Sequence, residues 1–396
     1  MKIAGIIAEY NPFHKGHAYH IAQTRVQGAT HIAAVMSGNF VQRAEPAIAQ
    51  KHLRTRAALA GGVDLVLEQP LPWALSGAQG FARGAAALLD ALGCVERLSF
   101  GSESGDLASI CIAAELLDSS ALSALLRPLL ESGLPFAKAR ETAMAQLAGR
   151  GAADLLCSPN DTLAVEYVNA LRRIGSKIEP LAIARKGAQH DSAQGEDGFS
   201  SASQIREIMR AGGAWMSLLP PECAAIYQNA NCPSQPQRLE TAILAKMRSA
   251  TAQELAAAPD ISEGIENRLL AAARQAVTLE ELLLLAKTKR YSHARLRRIV
   301  WSVFLGLTDT HKAEAPPYLR VLGMTPRGRE ILRTARKTAT LPIIMKSADV
   351  LALDDKAQQI FALECRASDL FGLCLPQITP CGSEYTENVV ILEENA

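Results

Sequence analysis

Residues 2–20 read KIAGIIAEYNPFHKGHAYH, and this stretch decides the fold class. The apolar run at 2–8 predicts a buried strand, and the amphipathic segment at 17–27 predicts a helix. Between them, Asn11-Pro12 supplies the residue types of a turn. A strand that turns directly into a helix is the first half of a βαβ unit, so the stretch predicts an α/β fold with a parallel sheet.

The same alternation continues to about residue 200. Further strands are predicted at 31–36, 63–68, 95–100 and 178–184, and further helices at 47–60, 80–92 and 106–117. Strands that alternate with helices predict a Rossmann-like parallel sheet covered on both faces. Ligands of such sheets bind at the carboxyl ends of the strands.

The pattern changes near Gly212, where a proline-rich stretch marks a domain edge. Beyond it the apolar spacing predicts helices at 238–247, 265–275, 279–288, 293–307 and 325–338, and a last strand at 388–392. The sequence therefore predicts two domains. The first is a parallel-sheet domain at 1–215, and the second is a mostly α-helical domain at 216–396.

The motif His14-x-Gly16-His17 stands where the first predicted helix begins. The free N–H groups and the positive dipole end of a helix N-terminus bind anions. Two imidazoles three residues apart share one face of the first turn. They can hold the phosphates of ATP while charge shifts onto the leaving pyrophosphate. The motif thus predicts a nucleotide site with His14 and His17 as its catalytic residues; the alternative is a helix start with incidental histidines.

Further loops follow predicted strands and offer small or polar residues. The loop SGNFVQR at 37–43 could close over a phosphate or carboxylate, or simply be a surface loop. Gly101 could let a base approach, Asn160 could bond the adenine or ribose, and Arg185 could bind a phosphate. The segment SASQIR at 201–206 starts a helix and can be read as an ordinary N-cap.

The net charge of +1 hides a strongly basic sector. From Lys287 to Lys346 there are fourteen Lys or Arg and three acids, a charge of +11, so the remainder of the chain carries −10. Residues 287–298 alone contain six cations, no acid and one tyrosine. This pattern predicts a surface for the phosphate backbone of RNA, with an aromatic ring for stacking. The alternative is a solvated helix face.

Other classes of protein are disfavoured. No run of eighteen apolar residues is present, so no membrane span is predicted. None of the eight cysteines forms a C-x-x-C pair, which disfavours a zinc site and a disulfide framework. Scattered thiols favour a cytoplasmic location, and no protein-bound metal is expected.

Six blocks carry a resemblance to a known family. They are YNPFHKGH at 10–17, SGNFVQR at 37–43, SPN at 158–160, SASQIR at 201–206, KRYSHARLRR at 289–298 and YLRVLG at 318–323. Together they resemble the bacterial tRNA(Met) cytidine acetate ligases from Lys2 to at least Gly372. The resemblance implies a two-step reaction. ATP and acetate give acetyl-adenylate, and the wobble cytidine of elongator tRNA(Met) takes the acetyl group to become N4-acetylcytidine.

The resemblance also implies site residues and partners. Its ATP site falls on Ile7, Ala8, Glu9, Tyr10, Asn11, Pro12, Phe13, His14, Lys15, Gly16, His17, Ala18, Tyr19, His20, Gly101, Asn160 and Arg185. Its tRNA contacts fall on Lys289, Arg290, Arg295, Arg297, Arg298 and Arg320. ATP would enter with Mg²⁺, and a homodimer is one option for the oligomeric state.

Two departures from the family pattern stand out. Ala44 replaces the glycine expected after the Gln-Arg pair, and Ser201-Ala202-Ser203 is a reduced form of the Ser-Ser-Thr of the wider superfamily. Two other functions remain open from the residues alone. One is a metabolite adenylyltransferase without RNA, and the other is an RNA-binding protein with a vestigial nucleotide fold.

Overall fold

A computed structural model of the chain describes residues 1–186, 200–262, 264–311 and 315–393. The strands within these residues are β1 (Ile3–Ala8), β2 (His31–Ser37), β3 (Phe40–Val41), β4 (Glu45–Pro46), β5 (Leu65–Gln69), β6 (Arg97–Ser102), β7 (Glu179–Ala184), β8 (Leu319–Met324), β9 (Ile343–Ile344) and β10 (Val390–Ile391). All but the β3–β4 hairpin belong to one sheet.

The helices of the first half surround this sheet. They are α1 (Lys15–Val26), α2 (Lys51–Ala60), α3 (Leu71–Ala74), α4 (Ala78–Ala91), α5 (Leu107–Leu117), α6 (Ser120–Glu131), α7 (Phe136–Ala148), α8 (Arg150–Asp154), α9 (Pro159–Arg173) and α10 (Ala202–Arg210).

Helices dominate the second half of the chain. They are α11 (Pro221–Gln228), α12 (Glu240–Ser249), α13 (Ala252–Ala256), α14 (Ile265–Gln275), α15 (Leu279–Ala286), α16 (His293–Leu305), α17 (Pro326–Thr338), α18 (Asp355–Gly372) and α19 (Ser383–Thr386). Short 3-10 turns lie at Met216–Leu218, Pro236–Leu239, Asp309–His311 and Ser347–Ala352.

The sheet has a parallel centre. Its five parallel strands lie in the order β5-β2-β1-β6-β7. Successive residues of β2 alternate between two apolar cores: Ala33 and Val35 face the core with α4 and α9, while Ile32 and Met36 face the core with α1 and α2. Burial on both faces is typical of parallel sheets, and the predicted α/β fold is confirmed.

The second half of the chain completes the same sheet. β8 pairs antiparallel with β5, and both β9 and β10 pair with β8. The second half, predicted as mostly helical with a last strand at 388–392, contributes three strands to the sheet, so residue 215 is not a boundary of the sheet. The block YLRVLG, for which the sequence suggested no element, supplies β8.

The remaining helices of the second half form their own core. α12, α14, α15, α16 and α18 pack around Trp301 and Phe371. Phe40 of β3 and Leu71 of α3 also belong to this core. The loops that follow β2 and β5 are therefore held by the helical half, which fixes one side of the carboxyl edge of the sheet.

Candidate active site

A cleft of about 660 Å³ opens at the carboxyl ends of β1, β6 and β7. The chain leaves β1 toward β2 on one side, and β6 lies on the other, so the cleft is at a switch point of the sheet. From the predicted ATP set, the cleft is lined by Ile7, Ala8, Glu9, Tyr10, Asn11, His14, Gly16, His17, Tyr19, His20, Gly101, Asn160 and Arg185.

His14 and His17 form the N-terminal cap of α1. Nδ1 of His14 accepts the N–H of Gly16 at 3.0 Å, and Nδ1 of His17 accepts the N–H of His14 at 3.2 Å. The two rings stack with centroids 3.8 Å apart. Because each neutral imidazole accepts at Nδ1, its proton resides on Nε2, which becomes a hydrogen-bond donor. The cap thus presents two N–H donors besides those of the backbone.

Both histidines are neutral at physiological pH. Burial, together with the nearby Arg185 and Arg206 guanidinium groups, lowers the pKa of His14 to about 3. Burial also holds the pKa of His17 well below its usual range. The pair therefore offers hydrogen bonds to phosphate rather than positive charge. The cationic groups of the cleft are its arginines and Lys186.

His20 has a different place in the cleft wall. Its Nε2 lies 2.9 Å from Oγ of Ser99, and Oγ1 of Thr24 lies 2.7 Å from the same hydroxyl. Burial lowers the pKa of His20 to about 4. These contacts join α1 to β6, so His20 positions the helix that carries the two capping histidines.

Asn160 lies at the start of α9 on the opposite wall. Its amide Nδ2 donates to Oε1 of Glu103 at 2.5 Å, and Glu103 also accepts the N–H of Asp161. Asp161 in turn accepts the backbone N–H groups of Glu103 and Ser104. This reciprocal arrangement fixes the loop after β6 against the first turn of α9.

Arg185 follows β7 directly. Its backbone N–H donates to the carbonyl of Ser102 at 3.0 Å. Its side chain runs past Gly101, where an added Cβ would lie 3.4 Å from Cγ of Arg185. Nζ of Lys186 lies 5.4 Å from the ring of Tyr19. Lys186 therefore lies beside α1, and Arg185 is near enough to His14, His17 and His20 to lower their pKa values.

Four residues of the predicted ATP set do not line the cleft: Pro12, Phe13, Lys15 and Ala18. Phe13 is fully buried, and a Cβ on Gly61 would fall 2.3 Å from its ring. Lys15 is exposed on the first turn of α1. Lys15 and Ala18 each follow one of the two histidines in α1, and the turn of about 100° per residue takes their side chains away from the cleft.

Two blocks that the sequence analysis singled out but left outside the predicted ATP set bring polar residues to the cleft: Gln42 and Arg43 from SGNFVQR, and Ser201, Ser203 and Arg206 from SASQIR. Arg206 is buried, donates from Nη1 to the carbonyl of Asn11 at 2.9 Å, and pairs with Glu45 at 3.0 Å. Ser201 does cap α10, as the N-cap interpretation predicted. The same short helix nevertheless delivers Arg206 to the cleft, one turn further along.

The predicted tRNA contacts require a correction at Arg320. This residue is 8% exposed and lies in β8, where its guanidinium pairs with Glu68 at 3.0 Å and with Glu384. Its Cζ also lies 5.0 Å from the ring centroid of Phe361. Arg320 is an internal ion-pair partner and cannot reach RNA.

The basic run at 287–298 divides into anchored and exposed cations. Tyr291, predicted to stack on RNA, is buried and bonds Ser262 through its hydroxyl. Arg295 stacks on that ring at 4.0 Å and donates to the carbonyl of Asp260 at 2.7 Å. Arg298 pairs with Asp260 at 3.4 Å.

The exposed cations of this run precede α16. Lys287, Lys289 and Arg290 are exposed, and Arg297 is half-buried. The cations of α17 lie elsewhere, because Thr325 bonds Asp64 before β5 and Glu330 bonds His31 at the start of β2. α17 therefore crosses the amino edge of the sheet, opposite the cleft.

The residues that the structure describes contain no cluster of metal ligands and no disulfide. No group of three His, Cys, Asp or Glu side chains in these parts is placed to hold a metal ion. All eight cysteines are free thiols. No individual helix in the described ranges combines the length and apolar character of a bilayer span, and the bent pair α5 and α6 does so only when taken together.

Comparison with known proteins identifies the family. The family model described as HIGH Nucleotidyl Transferase matches residues 1–385. A protein of Acetivibrio thermocellus named tRNA(Met) cytidine acetate ligase is 33% identical over 99% of this chain and 100% of that protein. The chain belongs to the tRNA(Met) cytidine acetate ligase family. The resemblance carried by the six sequence blocks is thereby confirmed.

Other members of this family agree in sequence and in fold. A tRNA(Met) cytidine acetate ligase of a Thermoanaerobacter species is 36% identical over 99% of this chain and 100% of its own length. The crystal structure of Thermotoga maritima TmcAL bound with α-thio ATP is 32% identical. It covers 99% of this chain and 100% of that chain with a TM-score of 0.92.

Proposed function

We propose that this chain uses ATP to activate acetate as acetyl-adenylate and then acetylates the wobble cytidine of elongator tRNA(Met), releasing AMP and pyrophosphate. The observation that supports this proposal most directly is the pair of Nε2–H donors at the N-terminus of α1. These donors lie in a cleft with Arg185 and Arg206. Family membership supplies the substrate class, since full-length relatives carry the name tRNA(Met) cytidine acetate ligase.

The geometry supports adenylate chemistry. Acetate attacks the α-phosphate, and negative charge grows on the phosphate oxygens and the leaving pyrophosphate. The donors of His14, His17 and the α1 N-terminus are fixed before reaction by the cap itself. Fixed donors aimed at growing charge stabilise the transition state more than the ground state. Arg185 and Arg206 supply the positive charge that the neutral histidines do not.

We infer that Mg²⁺ enters as the ATP complex. Glu9 is the single carboxylate among the described residues that line the cleft. One carboxylate is too few for a dedicated protein-held site, and Mg²⁺ prefers phosphate oxygens and water. The metal would contribute charge neutralisation of the phosphates, while the protein orients the nucleotide through the residues of the predicted ATP set that line the cleft.

We assign tRNA contact to the exposed Lys289 and Arg290 and the half-buried Arg297, which belong to the helical half at 216–396, and the catalytic cleft to the half at 1–215. Contacts of Lys and Arg with the phosphate backbone release counterions from the RNA, which favours binding. An anticodon loop presents unpaired bases that can enter a pocket. Substrates of this kind and free thiols fit a cytoplasmic enzyme.

Mass spectrometry of nucleosides tests the whole proposal. The protein is incubated with bulk tRNA, ATP and acetate, and N4-acetylcytidine is expected only when all three are present. Acetate-dependent exchange of pyrophosphate into ATP isolates the first step. Absence of that exchange in the wild-type protein would overturn the proposed activation of acetate, and exchange without acetylated tRNA would favour a metabolite adenylyltransferase.

A further inference from the structure

The second step of the proposed reaction needs a proton acceptor, because the exocyclic amine of cytidine is a weak nucleophile. Among the described residues that line the cleft, the candidates are three histidines and one carboxylate: His14, His17, His20 and Glu9. The cleft tyrosines Tyr10, Tyr19 and Tyr167 and the ammonium group of Lys186 are not candidates, since phenol and ammonium groups carry their proton and are poor acceptors. Burial raises the pKa of Tyr10 and Tyr167 further. The choice therefore lies between imidazole and Glu9.

The three imidazoles are poorly suited to accept a proton. His14 and His17 use Nδ1 as acceptor for backbone N–H groups, so Nε2 already carries the proton. His20 is engaged with Ser99 through Nε2. Burial lowers the pKa of His14 to about 3 and that of His20 to about 4. Protonating any of them would place a charge beside Arg185.

Glu9 is held in place by two contacts. It follows β1 directly, and its carbonyl accepts Nη1 of the buried Arg54 at 2.6 Å. Its carboxylate Oε1 accepts the backbone N–H of Gln42 at 2.9 Å. One carboxylate oxygen is thus anchored to the loop after β2, while the residue stays half-buried in the cleft wall.

We propose that Glu9 is the general base of acetyl transfer, an inference that rests on the proposed function. The amine nitrogen attacks the carbonyl carbon of acetyl-adenylate, and the C–N bond forms. The bond from that carbon to the phosphate oxygen breaks, and AMP leaves with the electron pair. The amine proton passes to the carboxylate of Glu9 and from there to water.

The surroundings of Glu9 suit this task. Burial raises the pKa of Glu9 above its ordinary value, and this effect outweighs the lowering by Arg206 and Arg43. The charged and titratable groups that face Glu9 from the packed elements are Arg206, Arg43, Glu45, Arg54 and Tyr167. A base whose pKa lies nearer the working pH removes a proton more effectively.

The test isolates the second step with synthetic acetyl-adenylate and tRNA in single-turnover reactions. Glu9→Gln keeps an acceptor for Gln42 but cannot take a proton. We expect transfer to slow by about 10²- to 10⁴-fold, a loss that exceeds any change in acetate-dependent pyrophosphate exchange. The wild-type transfer rate should fall as the pH drops through the raised pKa of Glu9. The transfer rate of Glu9→Gln should not show this fall at acidic pH.

Glu45→Gln is the matched control. Glu45 belongs to the same charged cluster and pairs with Arg206, but it does not line the cleft. The transfer rate of Glu45→Gln should still fall at acidic pH, as the wild-type rate does. Glu9→Asp retains an ionisable group and should restore part of the transfer rate together with its fall at acidic pH. This variant serves as the test if Glu9→Gln fails to fold.

Two outcomes would overturn the role of Glu9. The first is transfer by Glu9→Gln at the wild-type rate with an unchanged pH profile. The second is an equal loss of exchange and transfer, which would make Glu9 a positioning residue for the Gln42 loop. Neither resembles failure of the proposed function itself, in which the wild-type protein shows no acetate-dependent exchange or acetylates no tRNA.

Discussion

Lys51 and Glu384 form a buried ion pair, with Nζ 2.6 Å from Oε1, although one residue begins α2 and the other belongs to α19. Lys51 also lies 2.6 Å from Glu68. Both carboxylates reach Arg320 on their other side. The first half and the end of the described chain are thus joined by a closed ring of four charges.

Breaking this ring should destabilise the protein. Lys51→Met leaves two buried carboxylates facing only Arg320, and removal of one partner of a buried ion pair typically costs about 3–5 kcal/mol. Urea unfolding measures the change in the free energy of unfolding. Lys138→Met, which removes an exposed pair with Glu141, is the control and should leave the unfolding midpoint nearly unchanged. An equal effect of both substitutions would contradict the structural role of the ring.

Glu364 should make stability depend on pH in an unusual direction. Burial beside Glu68 raises the pKa of Glu364 to about 8, so its carboxyl stays protonated in the folded state while the unfolded chain ionises it. Stability should therefore decrease as pH rises from about 4.5 toward 8. Glu364→Gln mimics the protonated form and can still accept the N–H of Leu71. Its gain in melting temperature should be larger at pH 8 than at pH 5; an equal shift at both would refute this.

Substitutions of His14 should separate capping from catalysis. His14→Asn retains a side-chain acceptor for the N–H of Gly16, whereas His14→Ala removes it and should cost about 1 kcal/mol of stability. Both lose the Nε2–H donor, so both should abolish acetate-dependent pyrophosphate exchange. Thermal melts and the exchange assay together test this. Wild-type exchange in His14→Asn would show that the imidazole serves only as a cap.

Much of this cap could be predicted from sequence, because it depends on neighbours along the chain. His14, Gly16 and His17 lie within one helical turn, and β1 and β2 are short, continuous apolar runs buried on both faces. The motif could not indicate which ring nitrogen faces the cleft. The orientation of each imidazole ring depends on which backbone N–H groups the turn leaves unpaired, because those groups bond the ring nitrogen Nδ1.

Arg320 and Arg206 could not be assigned in the same way. Arg320 stands in a basic sector and looks like a surface cation until β8 pairs with β5. That pairing joins segments about 250 residues apart, so the local spacing of apolar residues in the sequence does not predict it. Arg206 belongs to the segment that the sequence correctly predicts as the start of α10. Only the packing of that helix against Asn11 brings the Arg206 guanidinium into the cleft.

The exposed basic run should govern RNA affinity. Replacing Lys289, Arg290 and Arg297 by glutamate should weaken tRNA binding and impair acetyl transfer, while acetyl-adenylate formation continues. Each lost phosphate contact should flatten the log–log dependence of affinity on salt by about 0.7–0.9. Filter binding at several salt concentrations gives this slope.

The matched control for the basic run is Arg333→Glu with Arg336→Glu on α17. Both residues are exposed, and their helix crosses the amino edge of the sheet. This variant changes the net charge by −4, against −6 for the variant of the basic run, and should keep most of the tRNA affinity and the salt slope. Equal losses in the two variants would mean that the RNA contact reaches the far side of the molecule.

The pairing of β8 and β10 with the first-half sheet has a consequence for biosynthesis. While the ribosome is still translating residues before 319, β5 of the nascent polypeptide is an open edge strand, a form prone to intermolecular pairing. Lys51 likewise has no Glu384 until the last helix emerges from the exit tunnel. Completion of the sheet in the first half of the chain therefore follows synthesis of the second half, so newly made protein does not mature domain by domain.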